Sequence, residues 1–263
     1  MRNFLLALSL CCFCGAAQAA VQGKEVSYEA DDTTLKGYIA YDDSIKGKRP
    51  AVLVVHDWLG LNEYARKRAR MLAELGYTAL AVDMYGDGKV ADRPVEAGKL
   101  AAELNKNVPL ELLRFNAARK LLREQETVDP NKIAAFGYGF GGSVVLNMAR
   151  LGVPLKGVAS FHGGGLSTDY LAKRGIVGRI VLFIGAGDPL IGADQIEAFK
   201  LEMGNTKASY RVVTYPGAKT DFTNPDADVL GKKFNLPMAY NAEADKDSWR
   251  QATEMLREVF AAQ

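Results

Sequence analysis

Residues 133–142, Ile-Ala-Ala-Phe-Gly-Tyr-Gly-Phe-Gly-Gly, constrain the fold more than any other stretch of the chain. The apolar start reads as a buried strand. A glycine-dense turn follows, and Ser143 to Arg150 then carry apolar residues at helical spacing. A strand that turns this sharply into a helix has two common chemical uses. One is the dinucleotide fingerprint Gly-x-Gly-x-x-Gly, here Gly137, Gly139 and Gly142. The other is a nucleophile elbow, Gly-x-nucleophile-x-Gly, here Gly137 to Gly141. In the second pattern the nucleophile position holds Gly139, which has no side chain to attack with.

The order of the remaining elements favours the elbow. A dinucleotide site needs an acidic residue about 20 positions on, at the end of the next strand, to hold a ribose. That strand ends in Phe161-His162. The fingerprint also usually opens its domain, whereas several strands precede this one. Alternating patterns predict strands at Lys24–Ala30 and Thr34–Tyr41, with Asp31-Asp32 turning between them. From residue 51 onward strands and helices alternate. The strands are Ala51–Val55, Tyr77–Val82, Ile133–Phe136, Gly157–Phe161, Arg179–Ile184 and Ser209–Tyr215. The helices are Glu63–Leu75, Pro94–Leu104, Pro109–Gln125, one after the elbow, Ala193–Met203 and Ala242–Ala261. Thr223 to Tyr240 reads as a long loop. The pattern predicts an α/β chain with a doubly wound, mostly parallel sheet and antiparallel N-terminal edge strands. Sites in such sheets form just beyond the strands, at Asp57, Trp58, Asp83, Gly139, His162, Asp188 and Thr220. In hydrolase chain order the acid and the base follow the nucleophile. Asp188 then takes the acid position, and the base is expected near Thr220.

The N-terminus predicts export. Arg2, an apolar run from Phe4 to Cys14 and the small-x-small Ala17-Gln18-Ala19 fit a signal peptide over residues 1–20, followed by one domain over 21–263. The apolar run falls short of the about 20 residues that span a bilayer, so no membrane association is expected after cleavage. Cys11, Cys12 and Cys14 all lie in this segment. The processed chain would then offer no disulfide, thiol nucleophile or thiolate ligand. A formal net charge of +2 argues against nucleic acid as a partner.

Six motifs now stand at strand ends: Val54-Val55-His56-Asp57-Trp58-Leu59-Gly60-Leu61-Asn62, Ala81-Val82-Asp83-Met84-Tyr85-Gly86-Asp87-Gly88, Phe136 to Gly142, Phe161-His162-Gly163, Gly185-Ala186-Gly187-Asp188-Pro189 and Tyr215-Pro216-Gly217-Ala218-Lys219. Together they resemble the dienelactone hydrolase family. The resemblance implies an α/β-hydrolase fold and a Cys-His-Asp triad for ester or lactone hydrolysis. Placed on this chain, the cysteine falls on Gly139, the histidine on Thr220 and the aspartate on Asp188. A glutamate frequent before the oxyanion-hole residue falls on Asp57.

Glycine cannot attack, and threonine is no base near neutral pH. The chain has two histidines, His56 and His162, and none in the last loop. Alternation along the strand should point one of His56 and Asp57 away from the cleft. His162 is expected to be structural and Ser143 to be a packing or capping residue. With so few histidines a metal site is not expected, and no motif calls for a cofactor. The oxyanion hole needs only backbone N–H groups, at Phe140 and in the loop at Trp58, with the dipole of the following helix behind them. A small-molecule ligand is therefore expected at Trp58, Phe140, Asp57, Tyr85 and His162, without the family's chemistry, while a protein partner is not specified. Two other readings remain open: hydrolysis through His162 or an activated water, and an interaction protein with a collapsed pocket. An elbow strains any residue that has a Cβ by about 1–3 kcal/mol. Gly139→Cys alone should therefore lower stability by that order in urea denaturation, without strong esterase activity.

Overall fold

The computed structural model describes residues 21–168 and 175–262. Residues 1–20, read from sequence as a signal peptide, and their three cysteines lie outside the described residues. Eight strands form one sheet: β1 (Val21–Ala30), β2 (Thr33–Asp42), β3 (Arg49–Val55), β4 (Thr78–Val82), β5 (Val128–Tyr138), β6 (Gly157–Phe161), β7 (Arg179–Gly185) and β8 (Tyr210–Tyr215). Their spatial order is β1-β2-β4-β3-β5-β6-β7-β8. The pairs β1–β2 and β2–β4 are antiparallel, and the others are parallel. The expected sheet with its antiparallel N-terminal edge is therefore present.

Helices α1 (Glu63–Glu74), α2 (Pro94–Asn105), α3 (Val108–Arg123), α4 (Phe140–Arg150), α5 (Ala193–Asn205), α6 (Ala227–Phe234) and α7 (Ala242–Ala261) complete the described elements. The parallel strands are buried on both faces, which is why they read as continuous apolar runs. In β3, Ala51, Leu53 and Val55 enter the core on one face of the sheet. Val52 and Val54 enter the core on the other.

One sequence expectation fails. Residues 223–240, read as a loop, contain α6. Its signal is masked because Gly231 interrupts the apolar pattern and Asn, Asp and Pro crowd its start. Gly231 is required where it stands, since a Cβ there would lie 2.6 Å from the carbonyl oxygen of Met238. The chain leaves α6 through the left-handed Asn235 (φ 53°) and folds Leu236–Met238 back across the helix.

The elbow rests on similar close approaches. At Gly137 a Cβ would sit 2.0 Å from the Gly141 carbonyl oxygen, and at Gly141 one would sit 2.4 Å from that of Val55. Gly98, exposed in α2, has open space where its Cβ would be. Gly137→Ala should therefore abolish or severely weaken folding. Gly98→Ala should instead stabilise by roughly 0.5–1 kcal/mol, the helix-interior cost of glycine. Paired urea denaturation curves check both.

Candidate active site

Gly139 caps α4 with φ 51° and ψ −113°, a conformation hostile to a Cβ. Its N–H donates to the Phe161 carbonyl oxygen (2.9 Å), and its own carbonyl accepts from Gly142 (2.9 Å) and Ser143 (3.3 Å). The turn is thus tied to both neighbouring elements. The N–H of Phe140 opens the helix with no preceding helical carbonyl to take it, as an oxyanion donor would.

A cavity of about 340 Å³ opens over Gly139. Its apolar wall includes Trp58, Phe140, Leu190, Ile191 and the 236–238 segment. Its polar side presents Ser143, His162, Asp188, Thr220 and Asp221. Ser143, expected to be a packing residue, does face this space.

The acid and base positions meet as chain order requires. Thr220 Oγ1 donates to Asp188 Oδ1 at 2.6 Å, and the Leu190 N–H donates to the same oxygen at 2.9 Å. Asp188 Oδ2 is buried without a partner. A hydroxyl therefore stands against the carboxylate where a triad would present an imidazole.

His56 and Asp57 diverge, as alternation predicts. His56 is fully buried, with ring centroids 4.7 Å from Tyr85 and 5.8 Å from Phe140. Its Nε2 accepts from the Met84 N–H (3.2 Å), so its Nδ1–H donates to the Asp57 carbonyl (2.6 Å). Burial lowers its pKa, which agrees with this neutral ring. Tyr85 stands behind the pocket rather than among its lining residues and donates to the Trp58 carbonyl at 2.8 Å. Asp83 organises its own loop, accepting from the N–H groups of Lys36, Tyr85, Gly86 and Gly88.

The Cβ of Asp57 lies 3.8 Å from where a Cβ on Gly139 would stand, but Asp57, expected in the pocket, is not among the residues that line the cavity. Its Oδ1 accepts from the Leu59 N–H (2.8 Å), whereas its Oδ2 is buried without a partner. Burial, and secondarily the charge of Asp221, push its pKa up to about 8.

His162 is not held by backbone hydrogen bonds to its ring. Its Nε2 is 2.7 Å from Thr223 Oγ1, which is 2.6 Å from Tyr64 OH. The Arg68 Nε–H donates to that phenol at 3.3 Å. Arg68 can only donate, so the Tyr64 proton goes to Thr223 and the Thr223 proton goes to His162 Nε2. Donor accounting thereby assigns the imidazole proton to Nδ1. Nδ1 lies 3.2 Å from Asp221 Oδ1 but is misaligned for a hydrogen bond with it. In sequence Asp221 stands in the last loop as one of the residues, with Asp57, Asp188 and His162, that could serve a metal-activated water, with no mark of its approach to His162. Among the described residues, no group of three or more His, Cys, Asp or Glu side chains is arranged to hold a metal ion.

The sequence matches the dienelactone hydrolase family over residues 35–260. The chain belongs to the dienelactone hydrolase family. A relative from Aquifex aeolicus is 34% identical over 207 residues, covering 77% of this chain and 87% of its own. Another from Synechocystis is 24% identical, covering 85% and 91%. Both carry the name "Putative carboxymethylenebutenolidase". Among solved structures, the dienelactone hydrolase-like promiscuous phosphotriesterase P91, from metagenomic libraries, is 32% identical. It superposes with a TM-score of 0.85 over 91% of this chain and 99% of its own.

The raised pKa of Asp57 has a consequence for stability. Between the ordinary value of 3.8 and about 8, the folded chain keeps a proton that the unfolded chain has released. Stability therefore falls as pH rises through that window, by up to about 1.4 kcal/mol per unit. Asp57→Asn should remove this slope, so its stability gain over wild type is largest at pH 8 and shrinks towards pH 4. Urea denaturation at several pH values measures the difference.

Proposed function

We propose that this chain is an exported dienelactone hydrolase-family protein whose pocket receives a small carbonyl-bearing ligand without the family's cysteine chemistry. The observation that carries this reading is the pairing of Thr220 with Asp188 beside Gly139. Nucleophile and base are replaced at two distant points of the chain, while the cavity, the acid and the helix-opening N–H of Phe140 remain. Residues 1–20 support export through their signal-peptide pattern.

The electrostatics favour a neutral carbonyl over a carboxylate ligand. Asp188 and Asp221 both line the cavity, and Asp188 Oδ2 is buried without a donor. An anion would meet like charge there. An ester, lactone or amide avoids this repulsion and can still place its oxygen at the Phe140 N–H.

The test is covalent trapping. After mixing with 4-nitrophenyl acetate and acid quenching, the wild-type peptide covering residues 137–150 should carry no acetyl group. The Gly139→Cys/Thr220→His variant should acquire one at residue 139. An acetyl group on the wild-type peptide, for example at Ser143, would overturn the reading. Calorimetry with N-(4-nitrophenyl)acetamide tests occupancy, and Ile191→Trp, which fills the cavity, should weaken binding at least tenfold.

A further inference from the structure

A side chain at position 139 would enter a space ringed by polar atoms. Its Cβ would lie 3.6 Å from Asp221 Oδ1, 3.8 Å from His162 Nδ1 and 3.8 Å from the Cβ of Asp57. His162 Nδ1 and Asp57 Oδ2 are buried and without partners. The side chains of His162 and Asp221 are 1% and 4% exposed. Buried polar atoms in folded proteins are almost always satisfied by protein or by water. The carboxylate of Asp221 and the imidazole of His162 converge on one glycine, with the Cβ of Asp57 on a third side, and form a polar cup with room for a small oxygen species.

The backbone holds the cup under strain. His162 (φ 41°) and Asp221 (φ 57°) both adopt the left-handed region, at a cost of about 1–3 kcal/mol each. Both lie in loops just beyond strands of the sheet, and both face Gly139. The Arg68–Tyr64–Thr223 chain fixes the His162 ring so that Nδ1–H, a donor, faces the cup. The cup thus offers an acceptor in Asp221 and a donor in His162. It adjoins the cavity in which a carbonyl would lie.

We propose that a water molecule held over Gly139 by Asp221 and His162 attacks an ester or lactone carbonyl in the adjoining cavity, with Asp221 as general base. The water oxygen bonds to the carbonyl carbon while Asp221 takes one of its protons. The carbonyl π electrons move onto oxygen, facing the Phe140 N–H. Collapse of this intermediate breaks the acyl–oxygen bond and leaves a carboxylic acid. The departing alkoxide takes the proton back from Asp221. Ester and water become acid and alcohol, and no acyl-enzyme forms. A hydroxyl or thiol side chain at 139 would occupy the water's place, so glycine at the elbow is what gives the water room.

This inference rests on the proposed pocket and is tested with 4-nitrophenyl acetate. Wild type should turn it over above a buffer blank, with no acetyl group on peptide 137–150. Asp221→Asn should lose at least 100-fold in kcat/KM, as for removal of a general base. Gly139→Ala should lose a comparable factor, because its Cβ enters at ordinary contact distance and displaces the water. Circular dichroism and thermal melting confirm that each variant is folded. Wild type that binds N-(4-nitrophenyl)acetamide but shows no turnover overturns the inference and leaves the pocket reading standing. Failure to bind defeats both. Gly139→Ala or Asp221→Asn at wild-type rate places the reacting water elsewhere and overturns the inference alone.

Discussion

Everything at this site depends on how closely α4 can press its first turn against the sheet. The contact is backbone to backbone. A single methyl at Gly137, Gly141 or Gly142 would lie within 2.5 Å of a carbonyl or hydroxyl oxygen. These glycines are present because nothing larger fits between helix and strand. Gly139 differs in kind. A Cβ there would meet its neighbours at 3.6 to 3.8 Å, in ordinary contact. Only its backbone angles disfavour a side chain, and the strained elbow of a hydrolase tolerates one for the sake of catalysis. Glycine at 139 is therefore not demanded by packing, unlike the glycines of the architecture around it.

At the base position Thr220 keeps a hydrogen bond to Asp188, so the acid remains anchored although no imidazole stands beside it. The histidine whose ring faces Gly139 comes from the end of β6 and is oriented from the opposite direction, through Thr223, Tyr64 and Arg68. Arg68 is itself fixed, with its guanidinium 5.2–5.4 Å from the ring centroids of Tyr64, Tyr138 and Trp249 and paired with Asp245 at 2.6 Å. That arginine can donate and never accept, and this one property propagates through two hydroxyls to determine which nitrogen of His162 carries the proton.

The elbow, the strand order and the Asp188–Thr220 juxtaposition were legible in sequence because each depends on local pattern and chain order. The approach of His162 to Asp221 was not. It needs left-handed backbone at two residues that carry side chains, and composition gives no sign of that. The Tyr64–Thr223 contact spans 159 residues and joins α1 to the last loop, which periodicity cannot reveal. Helix α6 was hidden by the glycine that lets Leu236–Met238 return across it. Tyr85 was expected at the pocket. Its phenol instead reaches the Trp58 carbonyl, so it shapes the wall from behind.

Strain gives the last argument. A fold that has no further use for a site is free to relax it, since left-handed non-glycine residues and unpaired buried carboxyls each cost stability. Here His162 and Asp221 keep such backbones, and Asp57 keeps a buried carboxyl whose second oxygen finds no partner. Loss of the cysteine–histidine pair would account for Gly139 and Thr220, but not for three further costly features gathered on the same few ångströms. His162 and Asp221 both face the space over Gly139, which is what a cup maintained to hold something requires and what a collapsed pocket does not.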